Sequence, residues 1–183
     1  RHVKPVVRGE CMMVNPAESD SFDSRHLGRQ WEWHANYSPE YGMTTDLGFM
    51  RIYGYRRPAE EINFWTVPNL LLQKFPAAAF TATAKVTVSA KAEGNMSGVI
   101  VMGHDYARFG VVKTDGDDFE LQLITCGDAE QGGEENVQNI VNLKPTRIYA
   151  AGLHPNYELN IWLRIKVAEG GGCTFYYSLD GIR

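Results

Sequence analysis

A chain of 183 residues with 44% hydrophobic and 22% charged residues has the size and composition of one globular domain with a real core. Its formal net charge is −4, and its nearest basic cluster is Arg51, Arg56 and Arg57. That argues against a nucleic-acid partner, whose phosphates demand many clustered cations. No apolar run approaches the roughly 20 residues of a membrane-spanning helix, so no membrane partner is expected.

Residues 1–18 read as an extended lead-in or linker from an upstream domain. Val3, Val6, Val7 and Cys11 to Val14 are apolar, but Pro5 and Pro16 interrupt regular structure. From residue 19 to 183 the pattern is that of one β-sandwich domain. Short strands are expected at 30–34, 49–54 and 70–75. The clearest strand is 80–90, where Phe80, Ala82, Ala84, Val86, Val88 and Ala90 alternate strictly with Thr, Lys and Ser. Further strands are expected at 98–103 and 107–113. The turn Asp115-Gly116 then leads into 119–125, because glycine accepts the positive φ of a tight hairpin. Strands at 136–143 and 147–151 follow. The second clearest is 157–167, with Leu159, Ile161, Leu163, Ile165 and Val167 on one face and Trp162 among the polar residues of the other. A Gly170-Gly171-Gly172 turn precedes a last strand at 173–178. About a dozen short strands with no amphipathic helix and no internal repeat mean a sandwich or jelly roll of antiparallel sheets.

The sequence carries no phosphate loop, nucleophile elbow or metal-binding helix motif. The five histidines, His2, His26, His34, His104 and His154, are scattered singly. Cys11, Cys126 and Cys173 match no metal spacing and read as small buried hydrophobes. Asp115, Asp117, Asp118 and Glu120 offer oxygen ligands that a structural calcium would accept, but a solvated hairpin tip is the favoured reading. No cofactor and no metal ligand set is therefore assigned. In Gln30-Trp31-Glu32-Trp33-His34, alternation puts the tryptophans on one side and Gln30, Glu32 and His34 on the other. With both indoles in the core, Trp31→Ala and Trp33→Ala would each cost on the order of 3–5 kcal/mol.

Several segments, in order, resemble one known family. They are Asp20-Ser21-Phe22 with Leu27, Gln30-Trp31-Glu32-Trp33 with Asn36, Gly48-Phe49-Met50-Arg51 and Asn69-Leu70-Leu71-Leu72-Gln73. They continue with Gly98 through Asp105-Tyr106, Trp162-Leu163-Arg164 and Phe175 through Ser178-Leu179-Asp180-Gly181. Together they resemble the C-terminal concanavalin A-like domain of glycoside hydrolase family 43 β-xylosidases and arabinofuranosidases. The resemblance implies a concanavalin A-like jelly-roll sandwich. It also implies an upstream five-bladed propeller that carries the catalytic carboxylates, so no catalytic residue is carried over to this chain. The family's domain continues beyond the Asp-Gly turn, and this chain starts at Arg1, so a piece cut at both ends is expected. The implied role is a non-catalytic accessory domain that stabilises the propeller and shapes its pocket. The implied setting is a bacterial periplasmic or secreted protein rather than a cytoplasmic one. The alternative is a carbohydrate-binding module that holds a xylo- or arabino-oligosaccharide on a concave sheet. Its candidate residues are Gln30, Glu32, His34, Gln73, Asp105, Tyr106 and Trp162, and it requires that Trp162 and the polar trio share one groove.

Overall fold

The computed structural model describes residues 17–58, 60–148 and 156–182, together with Val3 and Gly9. Most of the expected lead-in at 1–18 (with His2 and Cys11), His154 and the end of the strand expected at 147–151 lie outside the described residues. Among those described, twelve strands form the chain: β1 (Glu32–Trp33), β2 (Gly42–Thr44), β3 (Met50–Ile52), β4 (Leu71–Leu72), β5 (Phe80–Val88), β6 (Met96–Val101), β7 (Tyr106–Lys113), β8 (Phe119–Cys126), β9 (Glu135–Leu143), β10 (Thr146–Ile148), β11 (Asn156–Val167) and β12 (Cys173–Ser178). The only helical pieces among them are two 3-10 turns, Phe64–Thr66 and Ala129–Gln131.

Two antiparallel sheets make the sandwich. In one, β11 pairs with β5, β10 and β12; in the other the order is β6-β7-β8-β9. The alternation in β5 and β11 is what builds the interface between them. Leu159, Ile161 and Leu163 of β11 and Val88 of β5 meet Phe109 and Val111 of β7, Phe119 and Leu121 of β8, and Leu143 of β9 in one buried cluster. The rings of Phe109 and Phe175 close it at 5.4 Å between centroids.

At the hairpin tip, Gly116 takes φ +73° as the turn demands. The Lys113 ammonium, nearly buried, donates to the carbonyls of Thr114 and Gly116 and lies 5.7 Å from the Phe119 ring centre. A protein cation thus gathers the carbonyls of this acidic turn. Among the described residues, no group of three or more His, Cys, Asp or Glu is arranged to hold a metal ion.

The described residues before β5 form no third large sheet. It makes two two-stranded ribbons, β1-β4 and β2-β3, the second of which pairs Gly42 with Ile52 and Thr44 with Met50. Trp31 and Trp33 belong to this lobe and are half-buried rather than core residues. Trp31 packs on Phe22 at 5.3 Å and donates from Nε1 to Asp20 at 2.8 Å, while Trp33 packs on Tyr41 at 5.6 Å. The larger truncation cost expected for core indoles does not apply here. Trp31→Ala is expected to cost about 1–2 kcal/mol, chiefly the ring contact and one hydrogen bond. Urea unfolding checks this, and a loss above about 3 kcal/mol would return Trp31 to the core.

Candidate functional site

The outer face of the β6–β9 sheet is where sequence-distant polar groups converge. On β7, Tyr106, Arg108, Gly110 and Val112 alternate with the core residues Phe109 and Val111 and lie opposite Cys126, Ile124, Gln122 and Glu120 of β8. Tyr106, Ile124, Cys126 and Ala129 form a second buried cluster, and the 3-10 turn of the N-terminal lobe lays Phe64 and Trp65 against it. Asn63 pins that turn. Its side-chain amide donates to the carbonyls of Ala129 at 2.9 Å and Gly133 at 3.0 Å, and its Oδ1 accepts from the Trp65 amide at 3.0 Å.

A polar chain runs beneath the turn. The Phe64 amide donates to the Tyr106 hydroxyl at 3.0 Å, which donates to Glu135 Oε1 at 2.5 Å. Glu135 Oε2 lies 3.8 Å from Arg57. Burial and the bond to Glu135 raise the Tyr106 phenol well above its ordinary value. Arg57 and Arg108 each place a guanidinium 5.7 Å from the Phe64 ring centre. Arg108 is 3% exposed, and its Nε and Nη1 lack hydrogen-bond partners among the described residues while Nη2 reaches Gln122 at 3.4 Å. Burial pulls this guanidinium down to about 10, with Glu135 opposing the shift and Arg57 reinforcing it. A buried cation with open donors is a cost to folding. Arg108→Met, similar in length and apolar, is therefore expected to leave the denaturation midpoint within about 1 kcal/mol or to raise it. A loss above about 3 kcal/mol would mean that Arg108 is paired more strongly than its geometry indicates.

The seven sugar-binding candidates are not gathered into one groove. His34 Nε2 contacts the Trp65 carbonyl at 2.7 Å, and Gln30 donates to Asp20 at 3.2 Å. Asp105 accepts from the Asp128 amide at 2.9 Å and holds a turn, and Tyr106 is a buried member of the second cluster. Glu32 is exposed on β1, and Gln73 is half-buried just after β4. Trp162 lies elsewhere. It is on the outward face of β11, in the opposite sheet, with the main core between it and that cluster. Lys85 Nζ sits 5.1 Å from its ring centre, and Gly181 lies so close that an added Cβ would come within 3.0 Å of the indole. The condition that Trp162 and the polar trio share a groove is not met.

Arg57, Arg108 and Glu135 were not among the candidates. Their one sequence signal is Arg108 itself, a charged residue inside the otherwise apolar run of β7. Nothing in spacing links it to Arg57 or Glu135.

The model for the β-xylosidase C-terminal concanavalin A-like domain matches residues 19–183. The fold is similar to that of the GH43 protein BlXynB from Bacillus licheniformis, solved as a mutant. The TM-score is 0.63 at 15% identity, over 90% of this chain and 28% of that one. The chain thus spans 28% of the length of that structure. No curated protein matches the chain. With the sandwich built as described and the family's pattern extending over 19–183, the chain belongs to the family of β-xylosidase C-terminal concanavalin A-like domains, the accessory domain of GH43 proteins.

Proposed function

We propose that this chain is the non-catalytic sandwich of a family 43 glycosidase of the xylosidase or arabinofuranosidase type. It acts by stabilising a linked catalytic propeller and shaping the rim of its substrate pocket. The observation that carries this reading is where the polar atoms of the sheet are spent. Of the carboxylates on the outer face of β6–β9, Glu135 is committed to Tyr106 and Arg57, and Glu120 accepts from the Gln122 amide at 3.0 Å. Inverting hydrolysis needs two carboxyl groups roughly 6.5–9.5 Å apart across an open cleft, one as acid and one activating water. A carboxylate locked beneath Phe64 is poorly placed for either task. His34, Gln30 and Asp105 are likewise tied to their own protein, as befits a domain that organises its own surface for packing.

The test has two arms. The chain alone is assayed against nitrophenyl β-xyloside and nitrophenyl α-arabinofuranoside, with no turnover expected. The parent enzyme is then assayed with and without this sandwich, with kcat/KM and melting temperature expected to fall together on its removal. Turnover by the isolated chain, or a parent indifferent to the loss of its sandwich, would overturn the proposal.

A further inference from the structure

A cleft of about 410 Å³ opens at the end of the β2-β3 ribbon, lined by Ser38, Glu40, Tyr41, Tyr55, Arg56 and Asn69. We propose that this cleft binds a neutral saccharide. The inference goes beyond the accessory role and does not depend on it, since it concerns residues that neither the Tyr106 cluster nor the Trp162 face uses.

Three observations carry it. The first is that the walls are built and held. The Tyr41 amide donates to the Ser38 carbonyl at 3.1 Å, and the Tyr53 amide donates to the Tyr41 carbonyl at 2.9 Å, which extends the β2-β3 ladder into the cleft. Asn69 Nδ2 donates to the Tyr53 carbonyl at 2.7 Å and so fixes the third wall, while its Oδ1 has no hydrogen-bond donor among the described residues. Tyr41 is backed by Trp33 at 5.6 Å between ring centroids. A platform held in this way loses little freedom when a ligand arrives.

The second is the chemistry of the lining. Two phenols supply flat apolar faces with polar tips, which suit the C–H face and the hydroxyls of a sugar ring. Tyr55 is 40% exposed. Desolvation, then the charges of Glu61, Tyr41 and Glu60, raise its phenol above the ordinary value. The Glu40 carboxylate and the Arg56 guanidinium have no ion pair or side-chain hydrogen bond with any described residue. An acceptor-only carboxylate and a donor-only fork beside an open amide oxygen match vicinal hydroxyls, each of which both donates and accepts.

The third is charge. Glu40 and Arg56, the two charged lining residues, cancel within the cleft. The lining therefore carries no excess charge of its own to select a phosphate or a uronate over a neutral polyol. The volume falls within the range of about 300–1,000 Å³ typical of small-ligand sites.

The experiment titrates the chain with neutral xylotetraose and follows tryptophan fluorescence, since Trp33 lies directly behind Tyr41. Inorganic phosphate and a glucuronate-substituted xylo-oligosaccharide serve as charged probes. Saturable binding is expected that weakens at least about tenfold in Tyr55→Ala and in Arg56→Ala, is unchanged in Trp162→Ala, and exceeds binding of either charged probe. Both side chains are exposed, so each variant should melt with the parent chain, and the melts are run alongside. The proposal is overturned by no saturable signal from the folded chain up to about 10 mM sugar. Binding that survives both cleft variants, binding lost only in Trp162→Ala, or a preference for a charged probe would overturn it equally.

Discussion

Leu163→Ala is expected to cost the domain about 2–5 kcal/mol, the upper range for a single truncation. Leu163 has no exposed surface and sits mid-strand in β11, between Ala84 of β5 and Tyr177 of β12. Its side chain belongs to the cluster that joins the two sheets. A cavity there cannot collapse without shifting a strand hydrogen-bonded on both sides, so the cavity term is expected in full. The denaturant midpoint should fall with an unchanged slope. Trp162→Ala, one residue away on the outward face, should cost clearly less. Equal losses would mean that the face assignment of β11 is wrong.

The second large effect comes from adding one carbon rather than removing several. Gly98 and Gly110 stand directly opposite each other on β6 and β7. A Cβ on Gly110 would lie 2.2 Å from the Ser97 carbonyl oxygen and 2.6 Å from the Gly98 Cα. Those neighbours are backbone, so the strands must part, and Gly110→Ala is expected to cost at least about 1–3 kcal/mol by overpacking. Gly172→Ala is the control. It meets nothing within 4 Å, and its backbone is outside the positive-φ region, so it should be nearly silent. Thermal melts of the two variants side by side decide the matter. If Gly110→Ala is as silent as Gly172→Ala, the two strands are less closely apposed than described.

The fold was legible where one face of a strand is buried and the other wet. In β5 and β11 that condition holds over nearly the whole strand, and the period of two appears in the letters. It faded in three places for physical reasons. Trp31 and Trp33 read as core because large aromatics usually are, yet the ribbon that carries them pairs over only two residues, Glu32 with Leu72 and Trp33 with Leu71. Gly42–Thr44 has no alternation to read and is a strand only because Met50–Ile52 comes back beside it. In β9 the ladder slips between Leu121 and Gln122 of β8, which pair with Val141 and Asn139, so Ile140 is left over and 42% exposed. A bulge shifts the alternation and blurs the pattern in that segment.

The site was less legible than the fold. Asp105-Tyr106 was visible as a motif, but the motif does not say that the Tyr106 hydroxyl is shared between the Phe64 amide and Glu135, 29 residues further along. Trp162 was correctly placed among the polar residues of its strand. What the sequence did not reveal is that Gly181 and Lys85 occupy its surroundings. Such contacts arise from tertiary proximity, which local spacing does not encode. The Tyr41–Tyr55 cleft escaped notice for the same reason, because its walls come from two strand ends and the segment before β4.

The central claim is that this sandwich works through a linked propeller, and calorimetric unfolding of the intact parent protein tests it most directly. A sandwich that stabilises its propeller makes the two unfold together, in one transition above the melting temperature of either part alone. Two independent transitions, each at the temperature of the separated domain, would contradict the account.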